Sequence, residues 1–118
     1  MEELNLKSCA YIGDAVWELF VREHTVNLTK NAKELHKLTT DRVKAVFQAE
    51  LLEKIEVLLS EEELELMRRG RNLSIPVARK SEQKEYRKAT AFEVLMGYWY
   101  DNDKVRLEEI LKKIKEFL

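Results

Sequence analysis

Apolar residues return every three or four positions along most of the chain, and nowhere do they alternate convincingly with polar ones. That period predicts an all-α fold. A first helix is expected from about Leu4 to His24, with Ile12, Val16, Leu19, Cys9 and Phe20 on one apolar stripe. "TVNLTKN" breaks the pattern, and "AKELHKL" resumes it behind Asn31 or Thr29 as cap. "TTDRVKAVFQAELLEKI" reads as a third helix starting near Thr40, with Val43, Val46 and Phe47 facing inward. "SEEELELMRRG" opens with a capping box, Ser60 and Glu63; its acids lie in the first turn and its arginines in the last, as the helix dipole favours. Residues 71–81, "RNLSIPVARKS", carry the single proline and no stripe, so they read as a functional loop. A long helix from about Glu82 to Tyr100 follows, "DND" ends it, and a last helix spans 104–118. There Val105, Leu107, Ile110, Leu111, Ile114 and Phe117 are expected to pack inward.

The 118 residues suit one domain, with no repeat, linker or low-complexity segment. A hydrophobic fraction of 45% beside a charged fraction of 36% excludes a disordered chain. One cysteine, Cys9, excludes an intrachain disulfide and reads as a small core residue. The N-terminus lacks a signal-peptide layout and no apolar run could span a bilayer, so a cytoplasmic location is expected and no membrane partner.

Net charge is only −1, but it is segregated. From Glu50 to Leu66 there are seven acids and one base; from Met67 to Lys88 there are eight bases and two acids. The basic block could hold a phosphate backbone or pair with its acidic neighbour.

Two apolar stretches each hold an out-of-place acid. In "AYIGDAVWELFV", Asp14 sits opposite the expected stripe, yet Ala10, Tyr11, Trp17 and Val21 flank it. A helix apolar on every side is a buried one, so Asp14 is expected to be at least partly buried. In "ATAFEVLMGYWY" the one charged residue is Glu93, with Ala89 and Gly97 on its face. A buried carboxylate needs a raised pKa or a cation. Two such acids could share one Mg²⁺, a cation suited to oxygen ligands and retained waters. Separate ion pairs, for instance with Arg22 or Arg87, would serve equally.

These residues resemble a known family. "YIGDAVWE" is similar to the signature helix of ribonuclease III domains, and "TAFEVLMGYWY" to their second acidic helix. The collinear order of "AYIGDAVWELFVREH", "ELHKLTTDRVKA", "EEELELMRRGRN" and "EYRKATAFEVLMGYWY" resembles Mini-ribonuclease III, the short group without a double-stranded RNA-binding domain. The resemblance implies a catalytic domain over residues 1–118 and a homodimer with one site per strand. It implies Mg²⁺-dependent cleavage of double-stranded RNA to 5′-phosphate and 3′-hydroxyl ends, in maturation of large-subunit ribosomal RNA. A ribosomal protein helper is a candidate partner.

By motif, Asp14 and Glu93 fall on the catalytic, metal-site acids. Two further acids of full-length ribonuclease III are replaced here, by Ala10 and Thr90, as in the short group. Fewer ligands favour one cation over two. Glu18 and Thr90 are supporting candidates: Glu18 either orients metal waters or pairs with Arg22, and Thr90 either bonds a metal water or caps backbone. Arg68, Arg69, Arg71, Arg79, Lys80, Lys84 and Arg87 are the candidates for RNA contact, since duplex RNA is read through shape, phosphates and 2′-hydroxyls. His36 reads as a surface or packed residue, and Trp17, Trp99 and Tyr98 as core or interface. A helical RNA-binding module without catalysis would need the basic block but not both acids, and a purely structural dimer would explain neither.

Overall fold

The structure is a computed structural model that describes residues 3–73 and 83–118. Six α-helices follow one another, with no strand among the described residues: α1 (Glu3–Thr25), α2 (Ala32–Val43), α3 (Ala45–Ile55), α4 (Glu61–Arg71), α5 (Gln83–Asn102) and α6 (Lys104–Ile114). Short 3₁₀ turns, Glu56–Leu58 and Lys115–Phe117, follow α3 and α6. Residues 74–82, which include most of the proline loop with Arg79 and Lys80, lie outside the described residues.

The central element is α5. Nine of its side chains between Ala89 and Trp99 are buried, and α1, α3 and α4 pack around it. Phe92, Val94, Leu95 and Met96 are wholly inaccessible. Burying a side chain of this size contributes about 1.5–3 kcal/mol. Trp17 of α1 meets Phe92 edge-on, ring centroids 5.1 Å apart at 89°, the geometry aromatic quadrupoles favour.

The buried stripe of α1 is Leu6, Cys9, Gly13, Trp17 and Val21, at helical spacing. This differs from the expected stripe: Ile12 and Val16 are half-buried and Leu19 is 60% exposed. The reason lies in Gly13, which hydropathy does not mark. An added Cβ there would sit 1.7 Å from the carbonyl oxygen of Glu93, and one on Gly97 would sit 1.8 Å from that of Cys9. The backbones of α1 and α5 therefore touch at two glycines, and the residues around that crossing become the inner face.

Thr39 to Val43 complete α2 instead of opening α3. Lys44 is extended, φ −71° and ψ 157°, and α3 begins at Ala45. Neither glycine nor proline marks the break. Carbonyls released at the end of a helix need new donors. Here the Trp17 indole Nε1 donates to Arg42 O at 2.9 Å, and Gln48 Nε2 donates to Val43 O at 2.9 Å. The break shifts the phase of α3, so Val46 points outward, 42% exposed, against expectation. Val105 and Phe117 are likewise exposed, while Leu107, Ile110 and Ile114 carry the inner face of α6.

Local signals elsewhere match their elements. Asn31 caps α2 by accepting from Glu34 N at 3.0 Å, and Thr29 Oγ1 accepts from Asn31 N at 3.1 Å. The Ser60–Glu63 capping box is present in both directions. Asp103 ends the α5 segment by capping α6 through Arg106 N at 3.1 Å. Cys9 is buried, as its setting predicts.

Candidate active site

Gly13 and Gly97 bring α1 close enough to α5 that Asp14 and Glu93 face one another. Their carboxyl groups are close enough for Asp14 to influence the ionisation of Glu93. Both line a cleft of about 420 Å³ with Lys7, Ala10, Tyr11, Gln48, Tyr86, Ala89 and Thr90 among its walls. Glu93 is half-buried. Asp14 is exposed, which corrects the expectation of burial. The outer side of α1 is apolar yet open: Tyr11, which lines the cleft, is 82% exposed, and Leu19, further along and round the helix, is 60% exposed. An all-round apolar helix was expected to be enclosed, and in this chain it is not.

The Glu93 carboxyl is pushed up to about 8. Burial is the main cause; the hydrogen bond to Asp14 and repulsion by its charge add to it, and a hydrogen bond from Gln48 opposes them. Around neutral pH the pair therefore holds a proton in the place where a cation would neutralise it. Two hard oxygen donors beside a roomy cleft fit Mg²⁺, which keeps several waters. Among the described residues no group of three or more His, Cys, Asp or Glu side chains could cage a metal. The donor set thus fits one largely hydrated cation on two carboxylates.

The ion-pair alternatives do not meet these acids. Arg22 pairs with Glu18 at 2.9 Å on the surface, which is the plainer of the two readings for Glu18. Arg87 Nη1 donates to Arg71 O at 3.0 Å and Leu73 O at 3.5 Å, tying α5 to the end of α4. Thr90 donates to Tyr86 O at 3.0 Å, so its hydroxyl hydrogen is spent on backbone, while its side chain still borders the cleft.

The basic candidates disperse. Arg68 pairs with Glu65. Arg69 lines a separate cavity of about 650 Å³ between α4, α5 and α6. Lys84 is exposed, Arg71 half-buried, and Lys88 is paired with Glu53. Among the described residues none of them borders the acidic cleft, whose cationic wall residue there is Lys7. Lys7 stands seven residues before Asp14, two helical turns, a spacing that could have flagged it. Gln48, Tyr11 and Tyr86 also went unmarked, and the α2–α3 break that aims Gln48 has no local signal. His36 is exposed, near Thr40. Trp17 and Trp99 are core.

Glu63 does more than cap. Arg106 donates to it from Nε at 2.9 Å and Nη2 at 2.8 Å, and Trp99 Nε1 at 2.9 Å. Burial works against its charge, yet these bonds and that from Ser60 N outweigh it and lower its carboxyl to about 2. This hub joins α4, α5 and α6 away from the cleft.

The architecture is an all-helical domain with two facing acids in an open cleft. Comparison with known proteins identifies its family. The family model for the ribonuclease III domain matches residues 7–104. The chain is 40% identical to a protein of Clostridium tetani named Mini-ribonuclease 3, over 97% of this chain and 78% of that one. It is 41% identical to the Gloeobacter violaceus protein of the same name, over 99% and 87%. A crystal structure of a Fusobacterium nucleatum protein superposes with a TM-score of 0.78 at 30% identity, covering 93% of this chain and 91% of that one. The chain belongs to the ribonuclease III family. It is an endoribonuclease of that type.

Proposed function

We propose that this enzyme cleaves double-stranded RNA with Mg²⁺, leaves 5′-phosphate and 3′-hydroxyl ends, and matures precursors of large-subunit ribosomal RNA. The Asp14–Glu93 pair, facing across an open cleft at the α1–α5 crossing, carries this reading. Asp14 and Glu93 would hold the cation, whose chemistry would be to activate a water and polarise the scissile phosphate. Asp14 offers the accessible oxygen ligands and Glu93 the sheltered ones. Glu18 and Thr90 support the site from one turn away on either helix. Lys7 reaches the phosphate bordering the cleft. Arg68, Arg69, Arg71, Arg79, Lys80, Lys84 and Arg87 contact the flanking backbone, Arg87 chiefly through the α4 end it ties down. All act as one catalytic domain in the cytoplasm; no helix among the described residues is long and apolar enough to cross a membrane.

One domain holds one such cleft, whereas a duplex has two strands. A homodimer supplies two sites, and the exposed apolar face of α1 beside the cleft is the surface that favours it.

The test is cleavage of a long RNA duplex by the wild type and Asp14→Asn, with Mg²⁺ and with chelator. The wild type should cut only with Mg²⁺, and the variant should bind without cutting. A wild type that binds but never cuts under any divalent cation refutes the proposal.

A further inference from the structure

The buried polar side chains among the described residues are Thr25, Gln48 and Thr90. Two have local reasons. Thr25 shares a hydrogen bond with Thr39 at 2.8 Å across α1 and α2, and Thr90 bonds the preceding turn. Gln48 has no such reason. It is 2% exposed in the first turn of α3, whose other buried residues are Ala49, Leu51, Leu52 and Ile55. Its Oε1 is buried without a hydrogen-bond partner. Leaving a buried acceptor unpaired costs about 1–3 kcal/mol, which a leucine in its place would avoid.

What offsets that cost lies on the amide nitrogen. Nε2 carries two hydrogens. One is given to Val43 O, a carbonyl that the break at Lys44 releases from helix bonding. Gln48 also walls the cleft beside Asp14 and Glu93, and its amide favours the ionised form of the Glu93 carboxyl. The amide is thus anchored on a fixed backbone carbonyl of α2 and faces the cleft into which α5 sets its carboxyl. Helix α5 fixes only the Cα of Glu93; the torsions beyond it are set by what the carboxyl touches. On its other side the carboxyl meets Asp14, which is exposed and offers no comparable hold.

We propose that Gln48 is a positioning residue for the cation site, its carboxamide anchored on Val43 O and holding the Glu93 carboxylate in the orientation that ligates. This role rests on the metal-dependent reading above. It makes the site a three-helix construction, with α3 setting the aim of a ligand that α5 carries. Groups that orient a metal ligand from behind typically change metal affinity or activity 10–100-fold when removed.

The experiment compares wild type, Gln48→Leu and Gln48→Met. Mn²⁺ uptake by the RNA-free protein is followed by electron paramagnetic resonance, melting by circular dichroism, and duplex cleavage as kcat and KM. Both variants should keep their helical signal while melting a few degrees lower for want of the bond to Val43 O, bind Mn²⁺ at least about tenfold more weakly, and lose kcat by a similar factor at unchanged KM. Variants that bind and cut within about twofold of wild type overturn the role. Variants that both lose their helical signal overturn it too, by assigning Gln48 to the core alone. If the wild type itself neither takes up Mn²⁺ nor cuts, the functional reading fails and this role with it. If the wild type does both and so do the variants, the role alone fails.

Discussion

Glu93 answers two opposed demands. As a ligand it must be ionised; as a half-buried group beside another acid it prefers its proton. A carboxyl whose folded pKa is raised to about 8 holds its proton more tightly in the folded than in the unfolded chain. Its contribution to stability is therefore favourable at low pH and is lost as pH climbs from the ordinary carboxylate range through about 8. Replacing Glu93 by glutamine removes that dependence. Glu93→Gln should melt with the wild type near pH 5 and above it by several degrees near pH 9, in metal-free buffer, while losing cleavage altogether. Equal melting at both pH values would mean that Glu93 is not under this strain. Glu63 shows the contrary case: the same residue type, also shielded, is driven to about 2 because Arg106, Trp99 and Ser60 all donate to it. Deeper burial without a cationic donor raises Glu93, and a set of donors lowers Glu63, which separates a candidate metal ligand from a structural glutamate in this chain.

At the scale of elements, the decisive feature is backbone contact between α1 and α5. Neither Gly13 nor Gly97 has room for a methyl group. Gly13→Ala must push the helices apart, and should cost about 3 kcal/mol of stability by overpacking. It should also depress cleavage beyond its effect on folding, because the shift separates Asp14 from Glu93. Assays well below the melting midpoint, with urea titration for stability, distinguish the two effects; unchanged kcat in folded protein would refute the second. The elements also show what the sequence carries and what it does not. Asp14 and Glu93 stand out because each interrupts an apolar run, and the Ser60–Glu63 box, the Asn31 cap and the helices they open are written locally. The end of α2 is not. Lys44 is an ordinary residue, and the bonds that make the break tolerable come from Trp17, twenty-five residues from the Arg42 whose carbonyl it takes, and from Gln48 beyond the break. Everything that depends on that phase, Val46 outward and Gln48 into the cleft, is hidden with it.

At the scale of the molecule, the exposure of Asp14 and the openness of α1 have one origin. Hydropathy reports which faces are apolar, and says nothing of whether they are covered by the same chain or another. Tyr11, at the cleft, and Leu19, away from it on the same helix, are exposed. If a second copy covers them, Leu19→Glu should shift the protein from dimer to monomer in sedimentation equilibrium and leave α1 helical. Cleavage of duplex RNA should then fall to nicking of single strands, since each monomer retains one complete acid pair. A variant that remains dimeric would place the interface elsewhere. The dispersal of the basic block also belongs here. Arg68, Lys88 and Arg87 are engaged with Glu65, Glu53 and the α4 end, so the charge segregation seen along the chain is partly neutralised once the helices pack.

The glycine crossing has a further consequence, for descent rather than for folding. Each glycine abuts the backbone of the opposite helix, so neither position can drift while the other stays. Asp14 follows Gly13 directly, and Glu93 lies one turn before Gly97. Lineages free to vary the surrounding surface would still pass on these two short segments as a matched set. The acids travel with the joint that holds them together.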